Sequence, residues 1–129
     1  MSVERQRALF QEGARLFNEG EFYDCHEVLE ELWTFTQQPD RWFLQALIHF
    51  AVACYHHERG NPVGATRQLR RGLLKFRGYL PRWDGVETGL LAGQMETGLE
   101  AIEAGRRWRP DGRVVQSELW PGLRSPLRK

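Results

Sequence analysis

The hydrophobic positions of this chain repeat with the period of an α-helix almost throughout. Apolar residues three and four apart form one face in each of five segments, and turns containing glycine or proline separate these segments. The third segment is apolar nearly all round, which is typical of a helix in the centre of a bundle. The five predicted helices cover residues 3–19, 22–37, 41–59, 62–80 and 86–104.

The turn glycines belong to a weak internal repeat. A helix, a glycine and a second helix occur around Gly20 and again around Gly60, at an offset of 40 residues. Such units predict αα-hairpins, and we expect Asp40 to cap the third helix and Asn61 the fourth. The predicted fold class is all-α: a compact bundle of about five helices, built from two αα-hairpins plus a C-terminal helix and an irregular tail.

The domain boundary is predicted from composition. Residues 1–105 form a single helical bundle domain in this interpretation, and residues 106–129 form a basic irregular C-terminal tail, pinned to the bundle by a tryptophan. The charge is uneven: residues 21–38 hold five acids and no base, and residues 59–83 hold seven bases and no acid. We therefore expect these two segments to attract each other within the fold.

The net charge, the hydropathy and the cysteines argue against several classes of protein. A net charge of only +1 argues against a nucleic-acid surface. No segment reaches the roughly 20 apolar residues needed to cross a membrane, and the first residues lack the apolar run of a signal peptide. Cys25 and Cys54 lie inside predicted helices without paired spacing, which indicates reduced thiols and a cytoplasmic protein.

The second predicted helix carries the most unusual polar residues. At about 100° per residue, His26 and Glu30 lie at the border of its apolar face, beside Trp33. The acids that point away from that face are Asp24, Glu27 and Glu31. No lysine or arginine lies between Arg15 and Arg41, so the helix needs another source of compensation for its charge.

The buried third helix has a polar stripe that offers this compensation. Gln45, His49 and His56 fall within about 40° of one another around it. Because a short connection makes the second and third helices antiparallel neighbours, residues whose numbers sum to about 77 lie opposite each other. The predicted cluster is His26, Glu30, Gln45 and His49, with His56 at one end, Glu27 at the rim and Trp33 beside it.

Three interpretations of this cluster are open. In the first interpretation, the cluster is a hydrogen-bonded network that fixes the pairing of the two helices, since buried polar groups need partners. Alternatively, it is a divalent metal site with His26, Glu30 and His49 as candidate ligands, although the string His-Glu-x-x-Glu is not the zinc-protease motif. In the third interpretation, it performs acid–base chemistry with a glutamate as base and His26 or His49 as proton shuttle.

Three spaced blocks of this chain form a recognisable pattern. The first lies within residues 18–33 and reads Gly-x-Phe/Tyr-x-x-x-His-Glu-x-x-Glu-x-x-Trp from Gly20 to Trp33, and the second and third are residues 44–55 and 60–65. Together these blocks resemble the domain of unknown function 309, a bacterial and archaeal family. The resemblance spans about residues 8–80. It implies an all-α bundle without an established activity, and by position its functional residues are His26, Glu27, Glu30, Trp33 and Gln45.

One departure from the family pattern concerns the predicted cluster. Family members often have glutamine where His49 stands, so a histidine ligand at this position would not be shared by the family.

The sequence is compatible with three classes of function. The first is an architectural or ligand-binding helical protein, with no cofactor as the favoured expectation. The second is a small hydrolase-like enzyme, metal-assisted or not, in which His26, Glu27 and Glu30 are the catalytic residues. The third is a tandem-helix interaction module, which the internal repeat suggests and which requires a concave apolar groove. As a separate expectation, the partner is a second copy of the chain or a protein bound through the C-terminal tail.

Overall fold

Five α-helices form the fold in residues 1–110, the part of the chain that this computed structural model describes. A single 3₁₀ turn, Arg77–Tyr79, follows the fourth helix, and no strand occurs in the described part. The all-α prediction is thus confirmed, while residues 111–129 of the predicted tail lie outside the described residues. The helices are α1 Val3–Asn18, α2 Phe22–Thr34, α3 Asp40–Glu58, α4 Pro62–Phe76 and α5 Thr88–Glu103.

Both predicted hairpins turn at their glycine in the same way. Gly20 and Gly60 adopt φ values of 81° and 76°, a left-handed conformation that glycine enters without steric cost. In each turn, the residue after the glycine donates its N–H to a helical carbonyl five residues back, that of Leu16 or His56. This is the Schellman arrangement, which closes a helix and reverses the chain. The internal repeat therefore corresponds to two equivalent turns.

The helix α3 lies in the centre of the bundle. It packs against α2 on one side and α4 on the other, while α1 packs on α2 and α5 packs on α4. Phe43 of α3 is fully buried and contacts Phe10 of α1 and Phe76 of α4, so one ring joins the two hairpins. Although α3 is strongly apolar, no helix within residues 1–110 combines the length and hydropathy that crossing a bilayer requires.

The start of α3 differs from the prediction. Asp40 is the first residue of the helix, Pro39 precedes it as the N-cap, and no side-chain capping bond forms. The Asp40 carboxylate is fully buried and accepts a 2.8 Å hydrogen bond from Nε1 of Trp83 instead. The prediction that Asp40 caps this helix is therefore wrong, because its carboxylate binds the distant Trp83 and not a backbone N–H of the first turn. The cap of α4 is confirmed, since the Asn61 side chain accepts from Gly64 N–H at 2.9 Å.

A tryptophan after α5 fastens the chain back onto the bundle. The Trp108 ring stacks on Phe50 with centroids 6.0 Å apart, and its backbone N–H donates to Nε2 of His57 at 3.0 Å. On α5, a Cβ added to Gly98 would lie 2.7 Å from the indole carbons, so the glycine makes room for the ring. The described part of the predicted tail, residues 106–110, is thus held by the tryptophan at position 108.

Candidate functional site

His26 and Glu30 form a pair on the side of α2 that adjoins α3. They are one helical turn apart, and His26 Nε2 lies 3.3 Å from Glu30 Oε2. The His26 side chain is 22% exposed and that of Glu30 is 53% exposed. A carboxylate this exposed keeps much of its hydration. The pair therefore faces solvent and is not sealed between two helices.

Aromatic rings extend this pair into a continuous surface. The Tyr23 ring lies 5.5 Å from that of His26 and 5.2 Å from that of Tyr55 on α3. Tyr23 is 48% exposed, and the guanidinium of Arg59 stands 5.5 Å from the Tyr55 centroid. We call the surface formed by Tyr23, His26, Glu30 and Tyr55 the His26 edge. It combines two phenol rings, an imidazole and a carboxylate along about two turns of α2 and the facing part of α3.

Two polar atoms along α2 have no hydrogen-bond partner among the described residues. They are Nδ1 of His26 and Nε1 of Trp33, and both are shielded from solvent. The Trp33 ring is covered by the guanidinium of Arg41, 3.8 Å from its centroid, which explains the shielding of the indole. An unsatisfied buried polar atom costs about 1–3 kcal/mol, so these positions are not optimised for stability.

His49 is bound to α4 and does not join the His26–Glu30 pair. Its Nδ1 lies 2.6 Å from Oε1 of Gln68, and its Nε2 lies 3.0 Å from Nζ of Lys75. Because an amide oxygen only accepts, Nδ1 carries the proton and Nε2 accepts from the ammonium. The predicted four-residue cluster is corrected on this point: α3 is rotated so that His49 points toward α4.

The other predicted residues lie along or near the same stretch of α3. Gln45, one turn before His49, is partly exposed, as is His56 near the other end of the helix. The His56 ring lies 6.1 Å from that of Tyr55 and close to Gly64 at the start of α4. Glu27 is exposed at the rim of α2. The functional roles suggested for these residues stay predictions.

The three candidate metal ligands are not brought together. His26 and Glu30 pair on α2, whereas His49 is occupied by Gln68 and Lys75 on α4. Across residues 1–110, no group of three or more histidine, cysteine, aspartate or glutamate side chains converges as metal ligands would. Metal binding by His26, Glu30 and His49 together therefore requires a rearrangement of α3 and α4.

The acidic segment, residues 21–38, and the basic segment, residues 59–83, form ion pairs with other partners than each other. Glu31 of α2 pairs with Arg5 of α1 at 2.9 Å, and Arg70 of α4 pairs with Glu103 of α5. No ion pair joins residues 21–38 to residues 59–83 in the part of the chain described here. The expected attraction is absent because α3 separates α2 from α4. Most of the basic segment, on α4, is thus kept apart from α2 by α3, whereas its first residue, Arg59, stands over Tyr55 beside α2.

The two cysteines are unsuited to nucleophilic chemistry. Both are free and buried, as the sequence predicts for reduced core residues. Burial raises the pKa of Cys25 to about 12, and burial followed by the Glu58 carboxylate raises the pKa of Cys54 well above its usual value. A thiol with so high a pKa carries almost no thiolate near neutral pH.

The sequence analysis did not identify four residues that surround His26 and His49: Tyr23, Tyr55, Gln68 and Lys75. Tyr23 and Tyr55 have the hydrophobicity of core residues, and only the fold shows that their rings lie at the edge. Gln68 and Lys75 could have been found by applying the antiparallel rule to the second hairpin. The centre of this hairpin lies near Gly60, so residues whose numbers sum to about 120 lie opposite each other. This rule places His49 opposite a point between Gln68 and Lys75.

Together, the glycine-turned hairpins and the solvent-facing His26 edge define a small all-α protein with a polar helix edge. The family model described as "Domain of unknown function (DUF309)" matches residues 10–68, which confirms the resemblance that the three sequence blocks indicate. The matched segment, which runs from the middle of α1 through α2 and α3 into the first turns of α4, is similar to this family.

Two bacterial proteins are similar to this chain. The chain is 27% identical over 106 residues to an "Uncharacterized protein" of Aquifex aeolicus (strain VF5), which covers 81% of this chain and 32% of the relative. It is 33% identical over 86 residues to the "Uncharacterized protein YpuF" of Bacillus subtilis (strain 168), a match that covers 64% of this chain and 49% of the relative. This chain thus spans about a third to a half of the length of these relatives.

Proposed function

We propose that this protein is a non-catalytic binding module, and that its His26 edge holds a lysine- or arginine-bearing segment of a partner protein. The observation that carries the proposal is the solvent exposure of the His26–Glu30 pair. A polar network that serves only to fix two helices is expected to be sealed, with its hydrogen bonds made internally. This pair is open to solvent on its Glu30 side, where the carboxylate side chain is 53% exposed.

The chemistry of the edge favours a cationic ligand. Glu30, Glu27 and Asp24 are exposed on α2, and no described lysine or arginine forms an ion pair with any of the three. Beside these carboxylates, the half-exposed Tyr23 offers a ring face to a cation. A basic side chain that lies over the phenol and reaches Glu30 gains from both interactions.

The proposal predicts that a short fluorescein-labelled arginine–glycine peptide binds the protein and that the edge residues control its affinity. We expect Tyr23→Ala and Glu30→Gln each to weaken binding by about 3–10-fold, because each removes one favourable contact with the cation. Fluorescence anisotropy at low ionic strength measures these dissociation constants. Added salt is expected to weaken binding further, as for any contact between exposed charges.

A matched control separates the edge from the overall charge. Glu96 is exposed on α5, so Glu96→Gln removes the same charge at a distance from α2 and is expected to change the affinity less than twofold. Equal weakening in Glu30→Gln and Glu96→Gln would show that the peptide senses only net charge. That result, or no saturable binding by the unaltered protein, would overturn the proposal.

A further inference from the structure

The helix α4 carries a group of cations without carboxylate partners. Residues 59–83 contain seven bases and no acid. Arg70 pairs with Glu103, and Arg82 pairs with Glu87. By contrast, neither Arg71 nor Lys75 forms an ion pair with a carboxylate of residues 1–110. Their charge is therefore left uncompensated by the described part of the protein.

His49 organises this group from the opposite helix. Gln68 accepts from Nδ1–H of His49, which leaves Nε2 to accept one hydrogen bond from the Lys75 ammonium. The helices can approach this closely because position 72 is glycine, where an added Cβ would lie 3.2 Å from His49 Cβ. An ammonium has three N–H donors, and this bond occupies one of them. The side chain of Lys75 is thus positioned while it retains donor capacity.

The charges of the group repel one another. Arg71 and Lys75 are four residues apart on α4, a spacing at which like charges destabilise a helix. Partial burial, followed by the charge of Arg71, lowers the pKa of Lys75. Burial also lowers the pKa of His49, with further lowering by Lys75 and Arg71 against an opposing hydrogen bond to Gln68. An anion placed between these cations would relieve the repulsion.

We propose that Arg71 and Lys75, with Lys75 positioned by its hydrogen bond to His49, form a binding site for a phosphate-type oxyanion carried by a small molecule. A guanidinium donates in a planar fork and an ammonium acts as a compact point charge, and both match the oxygens of a tetrahedral anion. Gln45, partly exposed one turn before His49, lies on the same stretch of α3. The site is separate from the His26 edge, which is acidic and adjoins the other side of α3.

The test follows the ring protons of His49 by NMR while sulfate is added at constant pH and constant ionic strength. Sulfate is the first probe because it has the tetrahedral geometry and keeps its charge. The resonance is assigned with His49→Gln, and His26 serves as an internal reference on the other side of α3. We expect a saturable shift of His49, with the apparent affinity weakened at least about 5-fold in Lys75→Ala and in Arg71→Ala.

The control variant is Arg106→Ala, which removes one positive charge beyond the end of α5 and is expected to change the affinity less than twofold. Circular dichroism checks that every variant keeps its helices. A parallel titration with free phosphoserine tests whether a small molecule carries the anion: tighter binding than sulfate supports a phosphomonoester, and equal or weaker binding would overturn this part of the proposal. Absence of a saturable His49 shift with either probe, or equal weakening in Arg106→Ala, would overturn the proposal.

Discussion

Replacing Phe43 with alanine is expected to lower the free energy of unfolding by about 3–5 kcal/mol, the range for a fully buried phenylalanine. The ring has no solvent exposure and contacts Phe10 at 6.3 Å, Tyr79 at 6.0 Å and Phe76 at 6.4 Å between centroids. It therefore touches the first hairpin, the second hairpin and the turn after it. Its removal leaves a cavity where these elements meet. Urea denaturation followed by circular dichroism measures the loss.

Phe35 provides a matched control for this prediction. It lies just beyond the end of α2 and is 60% exposed, so Phe35→Ala is expected to change the unfolding free energy by no more than about 0.5 kcal/mol. Similar losses in the two variants would mean that Phe43 does not join the hairpins as described.

Gly72→Leu is expected to destabilise the protein by about 3 kcal/mol, because the α3–α4 interface has no room for a side chain at this position. A Cβ on Gly72 would meet the Met95 methyl, and it would lie 3.2 Å from the Ala46 carbonyl oxygen and 3.2 Å from His49 Cβ. The methionine can rotate away, but the backbone oxygen cannot. Thermal and urea unfolding of the purified variant measure this effect.

The control is a glycine in open space. A Cβ on Gly93 of α5 meets no atom within 4 Å, so Gly93→Ala is expected to stabilise the protein by about 0.5–1 kcal/mol through helix propensity. If Gly72→Leu were as stable as the unaltered protein, the close approach of α3 and α4, and with it the position of Lys75 at His49, would be incorrect.

The pairing register of α2 and α3 could be derived from the sequence, but their rotation could not. Tyr23 contacts Tyr55 and Trp33 contacts Arg41, so opposed residues have numbers summing to 78 and 74, close to the predicted 77. Register follows from the position of the turn, which local residues determine. Rotation about the helix axis depends on which neighbour packs more closely, and Gly72 draws the His49 side of α3 toward α4.

Tertiary partners also explain the error at Asp40. Its type and position match a helix cap, and a local interpretation cannot detect a donor 43 residues away on Trp83. The Gly20 and Gly60 turns were predictable for the opposite reason, because their left-handed conformation is a property of the residue itself. Local chemistry thus predicted the hairpins, whereas contacts between hairpins required the fold.

The same distinction applies to the candidate site. The sequence placed His26 and Glu30 at the border of the apolar face of α2, and the structure finds them there as a pair. Whether that border is open or sealed depends on how α3 rotates, which local patterns do not specify. With His49 turned toward α4, the pair is left at the surface beside Tyr23. Solvent exposure is the property that separates a binding edge from an architectural network.

The unfolding free energy of His26→Ala tests this distinction most directly. If the His26 edge is a binding surface, the variant loses at most about 1 kcal/mol, because a contact with the half-exposed Glu30 carboxylate contributes about 0–1 kcal/mol and the unsatisfied Nδ1 is removed as well. The measurement is urea denaturation of both proteins at neutral pH. A loss of about 3 kcal/mol or more would mean that His26 belongs to a sealed structural network, and it would contradict the account.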